Sequence, residues 1–138
     1  MAKLMAEALS GMNVKRAFVV HGVNGWDAPT PAAEFELFDV RPGQIEHMIR
    51  DPKDFGINRC GEDDLKGGDA NQNAEALMRV FSKEDQGPHR DSLLLGPGLA
   101  VEVSEVVSNL KEGIEQASTA IDEGKASDMV QSLSGLNE

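Results

Sequence analysis

The chain has 138 residues, 24 acidic against 13 basic, a formal net charge of −11 and one cysteine, Cys60. Charge of that sign repels a polyanion over most of the surface, which excludes nucleic acid and an anionic membrane as partners. A lone cysteine makes no internal disulfide and no run approaches the roughly 18 apolar residues that span a bilayer, so a cytoplasmic protein with a single core is expected.

The N-terminal segment MAKLMAEALSGMNVKRAFVV reads as mature structure rather than a leader, because Glu7 interrupts it and its apolar positions are helically spaced. Leu4, Met5, Ala8 and Leu9 form a one-sided stripe over residues 2–10, and Gly11 is placed to stop that helix in a left-handed conformation. Residues 16–21, Arg-Ala-Phe-Val-Val-His, are an apolar, β-branched run closed by Gly22 and the Asn24-Gly25 turn signal, as in a buried strand. Two further strands, 34–40 and 45–49, flank Arg41-Pro42-Gly43-Gln44. Proline second and glycine third suit a type II turn, hence an antiparallel hairpin with Ile45, His47 and Ile49 on one face and Glu46 and Met48 on the other. Asp51-Pro52 then ends the second strand.

From Asp69 the spacing of Ala74, Leu77, Met78 and Phe81 predicts a helix with Asn71, Gln72, Glu75 and Arg79 outside. Arg90-Asp91 opens another helix, with Asp91 at the positive end of its dipole. Gly96-Pro97-Gly98 falls inside that segment. A proline in a helix interior costs about 3 kcal/mol and each flanking glycine about 1 kcal/mol, so a kink or two short pieces are expected between 91 and 103. Leu110, Ile114, Ala117 and Ile121 form a later stripe closed by Gly124, and Ala126, Met129, Val130 and Leu133 a short terminal helix. The class is α/β: one domain over 1–138, with a partial, mixed sheet of about three or more strands including the hairpin, packed with several helices.

The loop Gly22-Val23-Asn24-Gly25-Trp26-Asp27-Ala28 follows a strand, where open α/β sheets bind ligands. Asp27 is its candidate for chemistry; alternatively it tightens the turn before Pro29. Lys66-Gly67-Gly68-Asp69 looks like an anion cradle, but Asp69 would repel an anion and is better used capping the helix that begins at Ala70. His21, His47, His89 and Cys60 lack the spacing of metal ligands. His21 alone stands near the loop, where hydrogen bonding to the backbone suits it.

Taken in order, Val20-His21-Gly22, Asp51-Pro52-Lys53-Asp54-Phe55-Gly56, Asp64–Ala76 (DLKGGDANQNAEA), Gly87-Pro88-His89-Arg90-Asp91 and Gly113…Ala117…Asp122-Glu123-Gly124-Lys125-Ala126 resemble the C-terminal part of the anthranilate phosphoribosyltransferases. The resemblance covers nearly the whole chain, and family members are about twice its length or more, so the domain is partial relative to theirs. It implies transfer of phosphoribose from phosphoribosyl pyrophosphate to anthranilate in tryptophan biosynthesis. It also implies an Asp-Glu pair in the first loop holding Mg2+; the first position is Asp27, the second is Ala28, and losing that carboxylate weakens the metal site. The family's Gly-Thr-Gly-Gly-Asp phosphate loop lies in the other half, and nothing here matches it.

The expectation is therefore a piece that is inactive alone. Its expected partner is an N-terminal half or a second copy, and phosphoribosyl pyrophosphate and anthranilate bind only if the site is completed. The alternative is a stand-alone non-catalytic binding or oligomerisation module that kept the fold. A third reading is a glycosyltransferase-like or nucleoside phosphorylase-like relative with another acceptor.

Overall fold

A computed structural model of the chain describes residues 1–134. The elements follow as α1 (Ala2–Ser10), β1 (Ala17–Gly22), β2 (Phe35–Arg41), β3 (Gln44–Arg50), two 3-10 turns (Pro52–Phe55 and Glu62–Leu65), α2 (Ala70–Phe81), α3 (Pro88–Val103), α4 (Leu110–Asp122) and α5 (Lys125–Ser134). No described helix is long and apolar enough to cross a membrane.

The sheet runs in the order β1-β2-β3. Val19 pairs with Phe38 and Leu37 with Met48, antiparallel in both ladders. The α/β architecture with a partial sheet is as expected, but within the described residues the sheet is antiparallel throughout rather than mixed. The hairpin turns with Arg41 opposite Gln44 and Gly43 at φ 72°, the positive value that a type II turn requires of its third residue. β3 ends at Arg50, and Asp51 caps the next turn by accepting the Lys53 N–H.

Because side chains alternate along a strand, β2 serves two cores. Phe35 and Leu37 join Ile57, Val80, Leu94, Leu95, Leu99, Leu110, Ile114 and Ile121 in the larger one. Phe38 and Val40 join Val19 and Ala6 in the smaller one beneath α1. Each such large side chain buried in full contributes about 2 kcal/mol of transfer free energy. Met48 packs against the larger core, whereas Ile45 and Ile49 on the opposite face remain 37% and 59% exposed.

The helices depart from the sequence pattern in three ways. In α1 the packed face is Ala2, Ala6 and Leu9, leaving Leu4 and Met5 exposed; small residues let the helix approach the sheet closely. Gly11 caps it at φ −85°, right-handed, with its N–H reaching the Ala8 carbonyl, so no left-handed residue is needed. In α2 the inward residues are Leu77, Val80 and Phe81, with Ala74 and Met78 outside, because the helix docks by its C-terminal half.

α3 is helical without interruption across Gly96-Pro97-Gly98, where two pieces or a kink were expected. The residue before a proline is driven from the helical region partly by its own Cβ, and Gly96 has none. Gly98 lies against α4: a Cβ there would stand 3.0 Å from Leu110 and 3.1 Å from Ile114, and one on Gly113 would fall on the Gly98 carbonyl. The glycines that lower helix propensity therefore let α3 and α4 approach closely.

Ion pairs fasten α3 to the sheet. Arg50 donates to both carboxylate oxygens of buried Glu102 at 2.7 and 2.9 Å. Arg16 grips Asp39 and also donates to the Glu102 carbonyl at 3.1 Å. Just beyond α3, Glu105 takes Lys15 and Arg41, which hold its carboxyl down to about 2. On the other side of α3, buried Arg90 donates to Ser118 and Asp122 of α4.

Two substitutions separate these roles of glycine and proline. Gly113→Ala should lower unfolding free energy by about 3 kcal/mol, since backbone must move to admit the methyl group. Pro97→Ala should raise it by about 1 to 3 kcal/mol by restoring an N–H to the Leu93 carbonyl. Urea unfolding monitored by circular dichroism measures both.

Candidate functional site

The loop after β1 is held by its own backbone. Gly22 N–H donates to the Trp26 carbonyl at 2.9 Å and Gly25 N–H to the Gly22 carbonyl at 3.0 Å, with Gly25 at φ 95°. A side chain at Gly22 would meet Asn24 Oδ1 at 2.9 Å and Trp26 at 3.3 Å, so the tightness of the turn requires glycine there. Val23 N–H reaches the Glu34 carbonyl, closing the loop onto the entry to β2.

Trp26 and Asp27 leave this turn into different clefts. Trp26 lines one shared with the Lys66-Gly67-Gly68 turn. Asp27 borders a groove between β1 and α1 that also contains His21. Asp27 is exposed and makes no side-chain hydrogen bond or ion pair among the described residues, so it does not cap the turn. Ala28 beside it is exposed as well. Among the described residues no three His, Cys, Asp or Glu side chains gather to hold a metal ion. One carboxylate without a second acidic neighbour is only a partial magnesium site, because the ion takes octahedral oxygen ligation of which Asp27 could supply one ligand.

The glycine-rich turn is a cap. Asp69 Oδ1 accepts the Gln72 N–H at 2.9 Å and Gln72 Oε1 accepts the Asp69 N–H at 3.0 Å, a reciprocal capping box. Asn73 fixes the turn from both sides, accepting the Gly68 N–H at 2.8 Å and donating to the Gly68 carbonyl at 3.1 Å. The Gly68, Asp69 and Gln72 N–H groups are thus engaged by the protein's own side-chain oxygens.

Around this turn lies an open cleft of about 600 Å³ lined by Trp26, Lys66, Asn73, His89, Ser92 and Leu93, among others. The sequence places these residues far apart, and nothing in their spacing reveals the cleft. His89 is oriented through Nδ1, 3.0 Å from Asp85. Their i, i+4 separation was the available signal for that pair. Asp85 also accepts the Gly87 N–H at 2.9 Å, and this bond first, His89 second, holds its carboxyl below the ordinary value of 3.8.

The remaining candidates do not converge. His47 stacks on Phe38, with ring centroids 4.4 Å apart, and pairs with Glu36 on the sheet. Cys60 is partly buried, and burial raises its thiol pKa above the ordinary value. Asp91 is raised as well, by burial.

The family model described as glycosyl transferase family, a/b domain, matches residues 1–127. The chain is similar to the anthranilate phosphoribosyltransferase of Clostridium beijerinckii, 35% identical over 134 residues that make up 97% of this chain and 39% of that protein. The enzyme of the same name from Geotalea uraniireducens is 38% identical over 129 residues, 94% of this chain and 37% of that one. The crystal structure of anthranilate phosphoribosyltransferase from Thermus thermophilus superposes with a TM-score of 0.83 at 28% identity, covering 94% of this chain and 38% of that one. The fold also matches the Saccharomyces cerevisiae enzyme in complex with PRPP and Mg, with a TM-score of 0.84 at 24% identity. The chain spans about two-fifths of the length of the curated relatives it matches and corresponds to their C-terminal part.

The geometry at His89 gives a test with a defined sign. Asp85 has its folded-state pKa depressed, so its stabilising contribution is present above pH 3.8 and is lost as pH falls through the lowered value. His89→Ala should move the Asp85 titration upward while leaving it below 3.8, because the Gly87 N–H remains. Carboxyl-detected NMR titration measures the shift.

Proposed function

The chain belongs to the glycosyl transferase family by its a/b domain, and from that premise we propose that it is the C-terminal part of an anthranilate phosphoribosyltransferase or close relative. In this reading it serves phosphoribosyl transfer in tryptophan biosynthesis in the cytoplasm, and it does not turn over substrate alone. The observation that carries the proposal is the disproportion of the match. Almost all of this chain aligns, at 97%, with only 39% of the relative.

Phosphoribosyl transfer needs a cradle for the pyrophosphate, neutralisation of its charge and a surface orienting the amine toward the anomeric carbon. Toward these the chain offers a rigid loop at the end of β1 with one exposed carboxylate, Asp27. We assign Asp27 as its single candidate metal ligand. It would act only where other groups supply the remaining ligands, and no step is attributed to a metal on this chain by itself. Phosphoribosyl pyrophosphate and anthranilate are the substrates of the completed site.

A second reading, a non-catalytic binding or oligomerisation module that kept the fold, draws on Ala28, which stands where a paired carboxylate is expected, and on the absence of a partner for Asp27 among the described residues.

Anthranilate consumption by the purified chain should stay at background and appear on adding a polypeptide that carries the rest of the family fold. Turnover by the chain alone would overturn the reading of a part. In the completed assembly, calorimetry with magnesium and phosphoribosyl pyrophosphate should give saturable binding that Asp27→Ala weakens about tenfold or more, in line with the loss of one charge-bearing ligand. Heat that never saturates, with no turnover, would favour the module.

A further inference from the structure

The cleft beside the glycine-rich turn is lined without an Asp or Glu, in a chain that carries 24 of them. Asp64 and Asp69 flank it in sequence, but they turn their carboxylates to the Gly61 and Gln72 N–H groups at 2.8 and 2.9 Å. Its cation is Lys66, exposed and without an ion pair among the described residues. A single phosphate placed there escapes the repulsion that a polyanion meets over the whole surface.

Four side chains from three segments line this space with bonding capacity to spare: Trp26, Lys66, His89 and Ser92. Trp26, the one tryptophan of the chain, has no ring partner, cation–π contact or indole N–H bond among the described residues. Ser92, half-buried and one turn after His89 on α3, leaves its hydroxyl unbonded among them. His89 Nδ1 lies 3.0 Å from the Asp85 carboxylate, which as an anion only accepts, so Nδ1 carries the proton. Nε2 of the neutral ring is thereby an acceptor of fixed direction. Leu77 and Leu93 add apolar wall between these groups.

Each group selects a different part of a ligand. A flat ring suits Trp26, by stacking. An O–H donor suits His89 Nε2, and the Ser92 hydroxyl can give or take a second bond. A phosphate suits Lys66. A ring with an acid group but no hydroxyl would leave His89 Nε2 unmatched, and a sugar phosphate without a ring would leave Trp26 and the leucines bare. The volume of about 600 Å³ falls within the roughly 300–1,000 Å³ of small-molecule sites.

We propose that this cleft binds a nucleoside monophosphate, with the base on Trp26, the ribose hydroxyls at His89 and Ser92, and the phosphate at Lys66. The site is separate from Asp27, which leaves the same loop toward a different groove. It goes beyond the phosphoribosyl-transfer reading and does not rest on it, because binding is measured on the chain alone and turnover plays no part.

Trp26 reports on its own site, being the only source of indole fluorescence in the chain. Adenosine 5′-monophosphate titrated into the purified chain should quench that emission saturably, with the same midpoint by calorimetry. Adenosine, which lacks the phosphate, and ribose 5-phosphate, which lacks the ring, should each bind about tenfold or more weakly. Lys66→Gln should weaken the monophosphate about tenfold or more and leave adenosine unchanged; Lys66 is exposed, so the fold is not at stake. His89→Gln should weaken adenosine and its monophosphate alike, and Lys111→Gln, on the exposed face of α4, should change neither. No saturable response, ribose 5-phosphate binding as tightly as the nucleotide, or equal weakening by Lys66→Gln and Lys111→Gln would each overturn the proposal. The first would mean no site, the second no recognition of the ring and the third attraction to diffuse charge alone.

Discussion

The close approach of α3 to α4 at Gly98 and Gly113 is the constraint on which the rest of this structure depends. With a side chain at either position the helices would separate, and the hydrophobic core shared by Leu94, Leu95, Leu99, Leu110 and Ile114 would open. The same rigid helix fixes both ends of the molecule's chemistry. Its first turn carries His89 into the cleft beneath the glycine-rich turn, and its last turn carries Glu102 to Arg50 under the sheet. Uninterrupted helicity across Pro97 is therefore a requirement of the architecture. One missing hydrogen bond is offset by packing that larger residues would prevent.

The charge of the chain takes on a different meaning once the pairs are placed. Its arginines are largely occupied internally: Arg16 with Asp39, Arg50 with Glu102, Arg90 with Asp122, Arg41 with Glu105 and Arg59 with Asp51. The buried members have structural partners that an external anion would have to displace, at a cost of several kcal/mol for each charge left unpaired in the interior. The cations without an ion pair among the described residues are mainly exposed lysines, Lys66 in the cleft among them.

The loop after β1 makes the same point at the scale of two residues. Its backbone is cross-linked tightly enough to aim Trp26 and Asp27 in different directions, yet the carboxylate meets nothing among the described residues. The loop thus presents an exposed acidic side chain beyond the end of a strand, the position at which open α/β sheets receive ligands.

Where elements begin and end was legible in the sequence because those signals are local. Gly43 turns the hairpin, Asp69 and Gln72 cap α2, Gly124 at φ 81° separates α4 from α5, and the stripe from Leu110 to Ile121 is buried as its spacing predicted. The family kinship was legible for the same reason, being carried by short motifs in a fixed order. Which face of α1 and α2 turned inward was not, since apolar residues on two sides of a helix are resolved only by the surface they meet: Ala6 and Val80 won because small or β-branched residues fit against the sheet and α3. Nor could propensity foresee α3, where the deciding term was the contact of Gly98 with Gly113 on the next helix. The sequence by itself determined most of the elements and the family; tertiary structure alone decided that Trp26 shares a cleft with the glycine-rich turn, that α3 runs unbroken against α4, and that β1 pairs on one side only among the described residues, because each depends on segments whose spacing encodes no distance.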